Sequence, residues 1–219
     1  MSLAIFDLDN TLIAGDSDHA WGQFLIEQGR VDADAYKQAN DQFYQDYCAG
    51  TLDIQAYLRF ALAPLKKLDR DELRRLHAQF MTDKIAAMSL SKAKTLIDQH
   101  KQKGDVLLVI TATNEFVTAP IVKALGIDNL LASGVEQVDG HYTGEPEGIP
   151  CFAEGKVQRL KQWLDEQDES VRALDTYFYS DSRNDLPLLE QVDYPVAVDP
   201  DPTLAEVAKT RGWTILSLR

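Results

Sequence analysis

Apolar positions along the chain follow two different periods. Short β-rich runs at Leu3 to Phe6, Val106 to Ile110, Thr176 to Tyr179, Val196 to Val198 and Thr214 to Leu216 end in polar or small residues and read as buried parallel strands. From Leu107 onward these runs alternate with helical spacing, as at Val157, Leu160, Trp163 and Leu164 within residues 155–167. That alternation predicts an α/β fold, a doubly wound, Rossmann-like parallel sheet whose site lies at the carboxyl ends of its strands. Residues 13–104 carry almost no strand signal and are too long for one crossover. Spacing of Trp21, Phe24 and Leu25, and of Ile54, Tyr57, Leu58, Ala61 and Leu62, predicts amphipathic helices there, with Gly29, Gly50 and Pro64 at the joints. Residues 13–89 are therefore expected to form an inserted all-helical cap, with residues 1–12 and 90–219 as the core. A helix over about 90–103 returns the chain to the sheet. Asp139-Gly140 between short alternating runs predicts a hairpin across Gly134 to Gly144.

Charge narrows the partners. With 22 Lys and Arg against 35 Asp and Glu, the net charge is -13, a field that repels nucleic acid and anionic lipid. A small phosphate ester would be repelled too, so a phosphate site has to be made locally positive by a cation, a lysine or helix N-termini. The two cysteines, Cys48 and Cys151, stand in no CxxC or Cys/His cluster, which argues against a disulfide framework or structural zinc and for a reducing compartment. The N-terminal MSLAIFDLDNT does not resemble a signal peptide, and no apolar run approaches the roughly 18 residues of a membrane span. A cytoplasmic protein is expected; the pattern carries no signal for oligomeric state.

Acidic and small residues recur directly after the apolar runs. IFDLDNTL, residues 5–12, places Asp7 and Asp9 past the first strand with period two, on the same side. Two carboxylates there can divide phosphoryl transfer, one attacking phosphorus and one moving protons, with a divalent cation neutralising the charge between them. The second strand ends at Thr111 in VITATN, where a hydroxyl and small residues let backbone N–H groups approach a phosphate. Lys156 follows Gly155 at a helix start, where the helix dipole disfavours a cation. YFYSDSRNDLPLL, residues 177–189, puts Asp181 and Asp185 after another strand, a spacing suited to one direct ligand of a hard cation and one holder of its waters. Each group alone is compatible with a solvated turn, a helix cap or an exposed lysine. Four in this order at successive strand ends point to one site.

DLDNT at 7–11, Thr111, Gly155-Lys156 and SDSRND at 180–185 resemble the four ordered motifs of the haloacid dehalogenase superfamily, and the helical segment after the first resembles its first type of cap. The subgroup it is most similar to holds phosphoserine phosphatase and histidinol-phosphate phosphatases. The resemblance implies Asp7 as nucleophile, Asp9 as general acid and base, Thr111 and Lys156 as phosphate holders and Asn184 as a substrate contact. It implies Mg²⁺ held by Asp7, the Asp9 carbonyl and Asp181, with Asp185 orienting the metal's waters or Lys156. An Asp two after the nucleophile favours a phosphatase or phosphomutase, and TATN in place of SGG argues against phosphoserine as substrate. Asp16 falls where phosphoserine phosphatase has an acidic substrate contact, so Asp16 and Asp18, with His19, are expected to read an amine or imidazole. The competing reading has Ser17 or Asp18 simply cap the following helix. Phosphoserine would need a basic partner, for which the cap offers Arg59. The expected partner is a small phosphate ester such as histidinol phosphate. A phosphomutase or phosphotransferase is the nearest alternative. A phospho-accepting receiver module is disfavoured, because it needs no large insert after its first strand and has no use for the second Asp.

Overall fold

The computed structural model describes residues 1–219. In chain order it runs β1 (Leu3–Phe6), α1 (Ser17–Glu27), α2 (Ala33–Ala49), α3 (Ile54–Leu62), α4 (Arg70–Asp83), α5 (Ser91–Gln102), β2 (Val106–Asn114), α6 (Glu115–Ala124), β3 (Asn129–Val138), β4 (His141–Glu147), α7 (Glu154–Asp165), α8 (Glu169–Arg172), β5 (Thr176–Ser180), α9 (Leu186–Leu189), β6 (Tyr194–Val198), α10 (Pro202–Arg211) and β7 (Thr214–Leu216). One seven-stranded sheet has the order β4-β3-β2-β1-β5-β6-β7, parallel except for β4. The fold is thus α/β and doubly wound. The chain moves outward from β1 to β4 and then returns to lay β5 on the other side of β1, so the topological switch flanks β1 and opens a crevice at its carboxyl end.

Period two along β1 divides the core. Ala4 and Phe6 face a layer containing Val109, Tyr179 and residues of α1, α4, α5 and α6. Leu3 and Ile5 face Leu108, Ile110 and Phe178, covered by α7, α9 and α10. Paired with β2 on one side and β5 on the other, β1 has every residue buried, which is why its sequence is apolar without alternation.

Two expectations need correction. Asn129–Val138 is a full strand whose first part pairs parallel with β2; its opening Asn129-Leu130-Leu131 was too short an apolar run to separate from a loop. It continues into the hairpin, whose antiparallel pairing starts at Gly134 as expected but reaches Glu147 rather than Gly144, and which turns at Asp139 (φ 51°) and Gly140 (φ 77°), both left-handed as a tight type I′ turn demands. The second strand does not end at Thr111 but continues to Asn114, across a shift in its pairing with β3 between Ile110 and Asn114.

The segment between β1 and β2 is helical, and its two ends meet: Ile13 bridges Ser89, and the Ala14 N–H donates to Met88 O at 2.8 Å. Its helices do not build a separate core. Trp21, Phe24 and Leu25 of α1 and Leu73, Leu76 and Phe80 of α4 belong to the same apolar cluster as Phe6 and Val109. Trp21 packs edge-on against both Phe80 and Phe116 of α6. By contrast, α2 buries only Asn40, whose amide donates to the His19 carbonyl at 3.1 Å and lies over Gly22, where a Cβ would stand 2.7 Å from the amide nitrogen. No helix is long and apolar enough to cross a membrane.

Candidate active site

Three strand ends and one helix start converge beside the switch point. Asp7 extends the β1–β5 ladder, its N–H donating to Tyr179 O at 2.9 Å, so its side chain is aimed by the sheet itself. It is 3% exposed. Its Oδ1 accepts from Lys156 Nζ at 2.8 Å, while Oδ2 has no hydrogen-bond partner. Lys156 reaches this point from the first turn of α7, which approaches so closely that a Cβ on Gly155 would lie 2.0 Å from Pro150 O. The preceding Ala153 takes φ 47°, ψ -122°, a strained backbone that turns the helix start toward the crevice.

Lys156 also grips both oxygens of Asp185, at 2.7 and 2.8 Å, and Asp185 accepts from Ser180 Oγ at 2.7 Å. Asp185 therefore positions Lys156, one of the two roles open to it, and both its oxygens are already engaged. Burial pulls the Lys156 ammonium down, but the attraction of Asp185 and Asp7 outweighs it and leaves its pKa raised. Asp181 is bracketed by Thr11, whose hydroxyl donates to its Oδ1 and accepts from its N–H, both at 3.1 Å. Burial, with repulsion from Asp7 and Asp185, holds its pKa well above the usual carboxylate range.

Asp9 is fixed on both oxygens. Oδ1 accepts from the Ser17 N–H at 2.6 Å and Oδ2 from Thr113 Oγ1 at 2.7 Å. Its pKa is pushed up to about 7 by burial and then by the charge of Asp16. Asp7 also reaches about 7, because desolvation and the neighbouring carboxylates exceed the opposing pull of Lys156. Thr111 is 1% exposed and lies against the same space, its hydroxyl accepting from the Thr113 N–H at 3.3 Å.

Above these groups lies a cavity walled by Asp7, Asp9, Thr111, Ala112 and Thr113 from the sheet and by Asp16, Asp18, His19, Asn40, Phe43, Tyr44, Tyr47, Leu52, Ile54 and Tyr57 from the helical segment. Asp16, not Ser17 or Asp18, caps α1, accepting from the His19 N–H at 2.8 Å while also lining the cavity. Asp18 is 4% exposed and lines the cavity with it. Neither lysine nor arginine is among the lining residues. Arg59, the expected basic partner for a substrate carboxylate, is 57% exposed and pairs with Glu145 at 3.0 Å on the outside. Asn184 is not in the wall either; its amide donates to Tyr47 O at 3.1 Å, tying the end of α2 to the loop that carries Asp181 and Asp185.

Several of these residues escaped the sequence reading. Thr113 could have been found, because it stands two after Thr111 and so on the same side of β2. Thr11 and Ser180 lie within the DLDNT and SDSRND segments but carry no spacing signal of their own. Tyr47 and Tyr57 come from helices far along the chain, and only packing brings them in.

The carboxylates outnumber the cations. Lys156 is saturated by Asp7 and Asp185, yet the half-buried Asp181 beside them and the orphaned Asp7 Oδ2 have no cation of their own. Oxygen-only donors, excess negative charge and a free buried carboxylate oxygen fit a hard divalent cation such as Mg²⁺. No three His, Cys, Asp or Glu side chains converge as an all-protein cage, and Mg²⁺ characteristically keeps several waters.

The family model for haloacid dehalogenase-like hydrolases matches residues 4–190. A histidinol-phosphatase of Neisseria meningitidis serogroup C (strain 8013) is 48% identical over 220 residues, covering 100% of this chain and 99% of the relative. A solved protein of unknown function from Bordetella pertussis Tohama I is 42% identical with a TM-score of 0.90, over 99% of this chain and 98% of that one. A substrate-bound phosphoserine phosphatase has a TM-score of 0.72 at 20% identity, over 100% and 93% of the two chains, and shares the fold.

Proposed function

The chain belongs to the haloacid dehalogenase-like hydrolases, and from that premise we propose that it hydrolyses histidinol phosphate through a phosphorylated Asp7. The observation that carries the choice of substrate is the cavity wall, which offers buried carboxylates and aromatic rings and no lysine or arginine. A leaving alcohol with cationic nitrogens and no carboxylate suits such a wall. Phosphoserine would set its carboxylate against Asp16 and Asp18 in a wall whose one histidine, His19, is already engaged by Asp41 at 3.1 Å, at a cost of several kcal/mol. The 48% identity to a histidinol-phosphatase across both chains supports the same reading.

Asp7, Asp181 and the backbone carbonyl of Asp9 would hold Mg²⁺. Bound there, the cation would offset the repulsion between the phosphate and the carboxylates that receive it. Thr111 holds one phosphate oxygen, and Lys156 holds another by exchanging one of its Asp185 contacts for it. A carboxylate oxygen of Asp7 attacks phosphorus, forming an acyl phosphate bond as the bond to the ester oxygen breaks. Asp9 gives its proton to that oxygen and the alcohol leaves. The Asp9 carboxylate then takes a proton from water, the water oxygen attacks the same phosphorus, and the bond to Asp7 breaks to release inorganic phosphate. Held on both oxygens by Ser17 and Thr113, with a pKa of about 7, Asp9 is matched to moving a proton each way near neutrality. The cavity roof from α2 and α3 limits water during the first step.

The test is phosphate release from histidinol phosphate, phosphoserine and an aryl phosphate, with Mg²⁺ and with EDTA. Histidinol phosphate is expected to exceed phosphoserine in kcat/KM by at least about tenfold, the equivalent of one unpaired polar group at about 1.4 kcal/mol. Equal rates on both would remove histidinol phosphate as the substrate, and phosphoryl transfer to a second alcohol without free phosphate would make the protein a mutase.

A further inference from the structure

Asp18 is buried at 4% exposure on the first turn of α1, and nothing in the catalytic steps uses it. Its Oδ1 accepts from Asn114 Nδ2 at 3.2 Å, and its Oδ2 has no hydrogen-bond partner. Asn114 cannot turn its amide over without loss, because its own Oδ1 caps α6 by accepting from the Val117 N–H at 3.2 Å. The donor end of Asn114 is thus locked onto Asp18, and the neutral hydroxyl of Tyr57 faces the same carboxylate without closing a hydrogen bond onto Oδ2. A buried carboxylate with one oxygen seated by a neutral donor and the other left bare in a cavity wall lacks a cationic N–H.

The strand register gives its distance from the chemistry. Phe6 pairs with Val109, so Asp7 is level with Ile110, and Asn114 lies four residues further along β2. That is at most about 13 Å at about 3.3 Å per residue, somewhat less across the pairing shift between Ile110 and Asn114. In a productive complex phosphorus stands about 3–3.5 Å from the attacking oxygen. In histidinol phosphate six bonds of about 1.5 Å, or about 7–8 Å when extended, lead from phosphorus to the nearer ring nitrogen. A hydrogen bond of about 2.8 Å completes the reach to a carboxylate beside Asn114. The substrate's ammonium, two carbons from the ester oxygen, stays nearer the catalytic pair. Asp16 suits it, since it adjoins Ser17, whose N–H donates to Asp9 Oδ1 at 2.6 Å, and so stands beside the catalytic pair.

Resting on the histidinol phosphate reading, we infer that Asp18, positioned by Asn114, is the specificity-determining residue that accepts a hydrogen bond from the substrate's imidazole N–H. Asp16 and Asp18 then divide the two cationic ends of one molecule. Without the ring, Asp18 contributes nothing to binding.

The experiment compares kcat/KM for histidinol phosphate and for 2-aminoethyl phosphate, which keeps the ammonium and lacks the ring. In Asp18→Asn the ratio of the two is expected to fall about ten- to a hundredfold, the range for a hydrogen bond to a charged group. The loss should appear mainly in KM. Free histidinol should inhibit the wild type and lose its grip on the variant by a similar factor. Asn114→Ala should lower the ratio in the same direction by a smaller factor, and circular dichroism and thermal melts report the fold of both variants. An unchanged ratio in a folded Asp18→Asn would overturn the role of Asp18 and leave the histidinol phosphatase reading standing. Wild-type enzyme that ignores histidinol phosphate while hydrolysing 2-aminoethyl phosphate would overturn that reading and this inference with it.

Discussion

Asp7 and Asp18 are both nearly inaccessible carboxylates in one cavity, and burial raises both, to about 7 and about 8. Their surroundings differ in one respect. Asp7 stands at a strand end with an internal counter-charge, Lys156 at 2.8 Å, which is itself held by Asp185. Asp18 stands on the helical wall beside neutral donors only. A carboxylate that carries its own cation can stay ionised and attack; one without a cation gains most from a ligand that brings one. The difference separates chemistry from recognition within eleven positions of sequence.

The comparison can be broken first at Asp7. Asp7→Asn should lower turnover by at least about 10³-fold with the fold intact, because a carboxamide does not attack phosphorus. Rapid quenching with radiolabelled substrate should trap label on the wild type alone; label on another residue would transfer the nucleophile's role elsewhere.

Asp9→Asn should slow phosphorylation of Asp7 by about 10²–10⁴-fold, and less for an aryl phosphate than for an alkyl one, since a good leaving group needs no proton. Equal losses on both esters would count against proton transfer.

Lys156→Met puts Asp7 into the condition of Asp18 and strands Asp185 as well. Stability at neutral pH should fall by about 3–5 kcal/mol, the usual result of breaking a buried ion pair, as read from urea unfolding midpoints. A loss below about 1 kcal/mol would mean that the site does not depend on this counter-charge.

Exhaustive chelation should abolish phosphate release and Mg²⁺ restore it, with Asp181→Ala raising the Mg²⁺ needed by about tenfold or more, the effect of losing one carboxylate ligand. A titration curve unchanged by the substitution would remove Asp181 from the metal.

The remaining effect concerns Asp18 and pH. Its folded pKa of about 8 lies above its unfolded value of 3.8, so the folded state binds the extra proton between them and stability falls as pH rises through that window. Asp18→Asn should therefore melt above the wild type at pH 8.5, by about 2–4 °C for each kcal/mol relieved, with the gap closing toward pH 5. Histidinol should narrow the same gap by supplying the missing cation.

Much of the core was legible because parallel strands buried on both faces must be apolar throughout. Leu3 to Phe6 and Thr176 to Tyr179 announced themselves, and Asp7 and Asp181 followed from being the first acidic residues beyond them. Asn129–Val138 was not legible, since only Ala132, Leu131, Ser133 and Val135 are well covered and the run is interrupted by Gly134. The wall was less legible still. Trp21 and Phe24 read as one face of a helix, but that face packs on α4 and α6 in the common core, which periodicity does not specify. Arg59 was open to either direction and faces out to Glu145.

The sequence by itself determined five of the seven strands, the order of the four motifs and the chemistry they can support, because the period of a strand buried on both faces is a local property that survives without knowledge of neighbours. Only the tertiary structure decided which carboxylates acquire a cation. The pairing of Lys156 with Asp7 and Asp185, of Thr113 with Asp9 and of Asn114 with Asp18 joins residues 149, 29, 104 and 96 positions apart. Such contacts depend on how helices lie across the sheet, and electrostatic energy depends on distance and burial in space, neither of which is encoded in spacing along the chain.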